Sequence, residues 1–159
     1  MIDLTKYCAN SYDFRVGLQR PWRDESWAYA TNGHMIVRVP AVSSVALLRD
    51  PATQPESAAE MFRVFIDDIY GEFLPMPQLP ADVACRFCVG GECFQCSGTK
   101  HELNYFALGH IGYNLHYLHV LSYLPKVRIR PQGENTPAAL IFDGGQALLM
   151  PMRPNRIPT

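Results

Sequence analysis

Four of the five cysteines stand within twelve residues, Cys85, Cys88, Cys93 and Cys96, as two Cys-x-x-Cys steps with four residues between them. Each step turns two sulfurs to one side of the chain. Four thiolates at about 2.3 Å close a tetrahedron around Zn²⁺ with no open position. Gly90-Gly91 is suited to reverse the chain between the pairs, and Gly98 follows where amides turn toward sulfur. A closed site of this kind is structural: it replaces a hydrophobic core that so small a lobe cannot build. The alternatives at this spacing are an iron–sulfur centre, a redox dithiol or two disulfides, and His101 is close enough to replace one sulfur. Phe87 and Phe94 are placed either to pack on the rest of the chain or to meet a partner. The fifth cysteine, Cys8, reads as a small buried hydrophobe.

The remainder has the composition of an ordered globular chain. Of 159 residues, 48% are hydrophobic and only 18% are charged, against about 25% in an average domain. Disorder needs the opposite balance. The net charge of −1 gives no general attraction to nucleic acid. No apolar run approaches the ~18 residues of a membrane span, and the first residues lack the apolar stretch of a secretory signal, so the expected location is the cytoplasm.

The apolar pattern falls into two similar halves. Residues 4–9 suggest a short helix, and residues 13–20 and 26–31 alternate with the period of a strand. Asn32-Gly33 then leads into Met35, Val37 and Val39, a hairpin signal that predicts a type I′ turn. In the second half, residues 104–111 suggest a strand. Asn114 can cap a helix with Tyr117, Val120, Leu121 and Leu124 on one face, stopped by Pro125. Residues 126–130, with their basic side chains outward, then 138–142 and 146–152 follow as strands, the last two around Asp143-Gly144-Gly145. Helix then three strands, twice, suggests an internal duplication.

The stretch between them, 41–84, contains two capping-box candidates, Thr53 to Glu56 and Ser57 to Glu60. A helical stripe of Phe62, Phe65, Ile66 and Ile69 follows. Three prolines at 75, 77 and 80 then predict extended, poorly paired backbone. The organisation expected is one domain from 1–40 and 104–153, a helical and Pro-rich insertion at 41–84, a zinc knuckle at 85–100 and a tail at 154–159.

Two segments resemble a known family. Tyr29-Ala30-Thr31-Asn32-Gly33-His34-Met35-Ile36 is similar to a strand–turn–strand of the bacterial DNA sliding clamp, and Met150-Pro151-Met152-Arg153 resembles that clamp's ending. Tyr113-Asn114-Leu115-His116-Tyr117-Leu118 resembles the entry to its last helix. The resemblance implies an α+β, DNA-clamp-like domain of two pseudo-symmetric helix-plus-strands halves, here with a small four-cysteine zinc-binding insertion. It implies a non-enzymatic replication accessory that captures short motifs of replication proteins, such as a DNA polymerase, in an apolar groove. The residues implied for that groove are Thr31, Gly33, His34, Ile36, Met150, Pro151, Met152 and Arg153. Methionines suit such a groove because they adapt to varied ligands.

The chain departs from the family in several ways. It has room for one domain of the clamp's three, Asn32 stands where the family has Asp, and residues follow Arg153. Contact with duplex DNA would need a head-to-tail homo-oligomer that closes into a ring. The helix that would face DNA carries His116 and His119 but no Lys or Arg. The cysteine steps resemble the knuckles of bacterial chaperones and many phage proteins, so a phage or mobile element is a natural source.

Residue by residue, milder roles compete. Met150 and Met152 can pack into their own core, the five histidines are scattered, and Asp67-Asp68 reads as the polar face of a helix. Arg128 and Arg130 suggest a solvated strand edge. Two other functions fit the same residues. One is a zinc-stabilised adaptor between proteins; the other is a zinc-dependent nucleic-acid binder using Arg86, Lys100 and the C-terminal arginines. No catalytic constellation is evident.

Overall fold

The computed structural model describes residues 1–43, 57–88, 93, 95–96 and 98–153. The first capping-box candidate (53–56), Gly90-Gly91, Phe94 and the 154–159 tail lie outside them.

The fold is mixed α and β, dominated by one antiparallel sheet. Its strands are β1 (Trp22–Arg23), β2 (Trp27–Thr31), β3 (Met35–Pro40), β4 (Leu74–Pro75), β7 (Arg128–Arg130), β8 (Ala138–Phe142) and β9 (Gly145–Leu149). A separate hairpin is formed by β5 (Tyr105–Leu108) and β6 (Ile111–Asn114). Order across the large sheet is β1-β2-β3-β9-β8-β7-β4. The central joint is therefore β3 against β9, with Met35 opposite Leu149 and Val37 opposite Ala147.

Period-2 alternation sends side chains to the two faces of this sheet. Ala28, Ala30, Val37, Val39, Leu140, Ala147 and Leu149 enter one core, closed by α2 (Leu115–Ser122) through Leu118 and Leu121 and by the 3-10 turn Leu4–Tyr7. Tyr29, Ile36, Ala139 and Leu148 enter a second core on the opposite face. That face is covered by Phe62 and Ile66 from α1 (Ala58–Phe62), which runs on as a π-turn through Arg63–Asp67. Asn114 caps α2 as expected, its side-chain oxygen accepting from the amides of His116 and Tyr117.

Several expectations fail locally. Residues 13–20 form no strand. Asp13 accepts a hydrogen bond from the Arg15 amide at 2.9 Å, a local alternative to a sheet ladder, and a 3-10 turn follows at Val16–Leu18. Phe14 is left 90% exposed. The Asn32-Gly33 hairpin forms, but only Gly33 has positive φ (+88°), so the turn is not type I′. A single positive φ at the first central residue is the type II′ arrangement, with Gly33-His34 in the centre. Asn32 takes the preceding position, its side-chain oxygen accepting from the amides of His34 and Met35. Ser57 precedes α1 without a side-chain capping bond.

The Pro-rich stretch is also better paired than its prolines suggest, since Leu74 and Pro75 pair with Ile129 and Arg128. β7 thus lies inside the sheet, and Arg130 is buried, not outward, at 7% exposure. Its guanidinium donates to the carbonyls of Ile69 (2.8 Å) and Phe65 (3.1 Å) and stacks over Phe73. Phe65 lies in the last turn of the helical segment, where carbonyl acceptors are otherwise left over, and Ile69 lies just beyond its end. Arg38, 5% exposed, sits 4.2 Å from the rings of both Trp27 and Phe62 and reaches Gln146 and Asp67. Asp68 pairs with Arg63. Both aspartates thus serve ion pairs.

Candidate metal centre

The arm that carries the cysteines leaves and re-enters beside α2. Its two sides meet where Ala84 bridges His101 and where the Cys85 amide donates to the Lys100 carbonyl at 2.8 Å. The Glu102 amide adds a bond to the Val83 carbonyl at 2.7 Å. Between these clasps the four sulfurs converge.

Cys85 Sγ lies 3.8 Å from Cys93 Sγ, and Cys88 Sγ lies 3.4 Å from Cys96 Sγ. All four sulfurs fall within 4.8 Å of one another. A tetrahedron with metal–sulfur bonds of about 2.3 Å has edges of about 3.8 Å, so the spacing fits a metal ion such as zinc. All four are free thiols. Backbone amides face the sulfurs: that of Phe87 toward Cys85, and those of Lys100 and Gly98 toward Cys96. Such amides stabilise thiolate charge. At Cys96 burial opposes ionisation, but the Cys88 thiol and these amides outweigh it and bring the thiol down to about 7. Cys88, hydrogen-bonded to Cys96, is pushed up to about 12. One thiol of the group is thus primed to ionise and its neighbour is held protonated.

His101 does not join the sulfurs. Its ring faces Asp82 and His116, a grouping that the scattered positions of these residues in the chain conceal. Asp82 Oδ2 lies 2.7 Å from His116 Nδ1 and 3.0 Å from His101 Nδ1. His119 is held nearby, its Nε2 2.6 Å from the Pro80 carbonyl. Phe87 is 63% exposed and Arg86 pairs with Glu102. Cys8 packs against the main core, where burial raises its thiol to about 11.

The residues named for the groove divide. The Met150 amide donates to the His34 carbonyl at 2.9 Å, so residues 150–153 leave the sheet beside the Gly33-His34 turn. The Met152 amide donates to the Gly112 carbonyl at 2.8 Å. Met150 is 41% exposed, Pro151 and Met152 are half-buried, and Arg153 is exposed. Thr31 and Ile36 are buried. Thr31 Oγ1 donates to the Met35 carbonyl and accepts from the Gly33 amide, while Ile36 lies in the second core. These two residues shape the hairpin from beneath.

A cavity of about 220 Å³ lies alongside, bounded by Asn10, Arg15, His34, Gly98, His116 and Tyr117. The Asn10 side chain, part of its lining, donates to the Gly98 carbonyl at 3.3 Å, tying the cysteine arm to the N-terminal segment. None of the described helices is long and apolar enough to cross a membrane. No protein-family model matches the chain, and no curated protein or solved structure matches it either.

Proposed function

We propose that this chain is a non-enzymatic accessory of DNA replication. Its main domain is of the sliding-clamp kind, and its cysteine arm is held by one structural Zn²⁺ on Cys85, Cys88, Cys93 and Cys96. A short apolar peptide of a replication protein, such as a polymerase, docks where residues 150–153 run past the Gly33-His34 turn.

The observation that carries this reading is the joint between β3 and β9. It makes the order 1-2-3-9-8-7 within the sheet, two three-strand meanders joined through their last strands. Such an order is what a pseudo-twofold axis through that joint would produce, as the clamp resemblance implies. The same joint brings together the Ala-Thr-Asn-Gly-His turn and the Met-Pro-Met-Arg segment, which are far apart in sequence. The halves differ in their covering element: α2 has two turns, and its counterpart is the single 3-10 turn Leu4–Tyr7.

One observation favours a narrower version, a zinc-stabilised adaptor that makes no contact with DNA. In a clamp ring the helices face the duplex. Here α2 has no Lys or Arg, and its two histidines are engaged by Asp82 and the Pro80 carbonyl. Little remains on that face to attract phosphate.

A fluorescent clamp-binding peptide tests the docking site. The expected result is saturable binding by the intact chain and roughly tenfold weaker binding by Met152→Ala, about 1.4 kcal/mol, with unchanged thermal unfolding. No binding, or equal affinity for both, overturns the proposal. Light scattering separates its two versions: a closed head-to-tail oligomer supports a ring, and a monomer supports the adaptor.

A further inference from the structure

We propose that Asp82, His101 and His116 form a second divalent-metal site, distinct from the four sulfurs and suited to Zn²⁺, that fastens the cysteine arm to α2.

The three side chains come from three places. Asp82 lies on the segment entering the arm, His101 on the segment leaving it, and His116 in the first turn of α2. Their donor atoms, one carboxylate oxygen and two imidazole nitrogens, lie within 4.8 Å of one another. Two imidazoles and a carboxylate suit a divalent first-row metal, and three protein ligands leave one position for water.

The hydrogen bonds alone do not satisfy this group. His116 Nδ1 is bonded to Asp82 Oδ2. His101 Nδ1 is 3.0 Å from the same oxygen but out of line, and it is a buried nitrogen without a hydrogen-bond partner. Leaving such an atom unpaired in a buried place is unfavourable. A cation between the rings would take its lone pair and relieve that cost. It would also separate the two imidazoles, which stack at 4.1 Å with 22° between their planes.

The fit needs only a small adjustment. Metal–nitrogen and metal–oxygen bonds of about 2.0–2.2 Å place tetrahedral donors about 3.3–3.5 Å apart. The observed 2.7 and 3.0 Å must widen by roughly 0.3–0.8 Å to reach that spacing, which rotation of the partly exposed rings supplies. His119, three residues beyond His116, holds Pro80 against α2 and so keeps Asp82 in reach.

Cobalt provides the test, because thiolate-bound Co²⁺ has charge-transfer absorption that a nitrogen–oxygen site lacks. The full chain, stripped of metal and titrated with Co²⁺ alone, is expected to bind two ions, with thiolate absorption complete after one. His116→Ala is expected to bind one and to keep that absorption. Asp82→Asn, which preserves shape, is expected to weaken the second ion at least tenfold. Saturation of the intact chain at one ion that carries thiolate absorption overturns the proposal, as does uptake of two ions by His116→Ala or an unchanged affinity for the second ion in Asp82→Asn.

Discussion

Cys96 and Cys88 show how position inside one cluster sets the acidity of chemically identical groups. Amides and a neighbouring thiol bring Cys96 down to about 7, and the bond to Cys96 drives Cys88 up to about 12. A metal held by four thiolates displaces whatever protons the thiols still carry, so its binding acidifies an unbuffered solution. As pH falls through about 7, the Cys96 thiol too takes up its proton. The sign follows: apparent affinity falls as pH falls, by about tenfold per pH unit for each thiol that must give up a proton. Zinc competition between pH 6 and 8 measures this slope, and a flat profile would mean that the thiols do not bind the ion. The cysteine set was legible in the sequence because both partners of each step are local. The Asp82–His101–His116 group was not, since its members are separated in sequence and only the folding of the arm onto α2 brings them together.

Among the elements, strands with a close partner in sequence were the readable ones. β2, β3 and β8 stand where alternation and turn residues put them. The hairpin type was misjudged by one residue because Asn32 binds amides with its side chain and leaves the positive φ to Gly33 alone. Residues 13–20 have the alternation of a strand, but Asp13 captures the Arg15 amide locally and a 3-10 turn follows at Val16–Leu18. Residues 104–111 read as a single strand, but the chain turns at Gly109-His110 and forms two paired ones, Tyr105–Leu108 and Ile111–Asn114. The burial of Arg130 was hidden as well, because its partners are the carbonyls of a distant helix end.

Two glycines test the hairpins. A Cβ on Gly145 would lie 2.3 Å from the Arg38 carbonyl oxygen and 2.5 Å from Phe142 Cζ, and backbone cannot move aside cheaply. At Gly33 the nearest atoms are the end of a side chain, the Arg15 guanidinium, which can shift more readily than backbone, so the cost there is chiefly that of positive φ. Gly33→Ala is expected to lose about 1 kcal/mol and Gly145→Ala about 2–3 kcal/mol in denaturant titration. Equal losses would show that the β3–β9 approach is looser than described.

On the scale of the whole molecule, two cores lie on opposite faces of one sheet and the cysteine arm hangs from its own clasps. Chelation is therefore expected to release the arm while the sheet persists. Amide exchange should accelerate at Cys85 and Glu102 and stay slow at Val37 and Leu148. Simultaneous loss of protection at both places would show that the metal supports the entire fold. The cysteine spacing makes a separate arm readable from sequence, because four thiols so close together have little apolar residue between them to build a core. The arrangement of the middle segment was less apparent, for α1 and β4 complete the sheet's second face and its edge.

The seam between β3 and β9 also shapes how the protein comes into being. Ile36 waits for Leu148, so during translation the first meander emerges with an unpaired apolar border. At about 5–20 residues per second, that border stays open for roughly 5–20 seconds before its mate leaves the ribosome. The nascent chain is most vulnerable to aggregation in that interval, and chaperone engagement should be concentrated there.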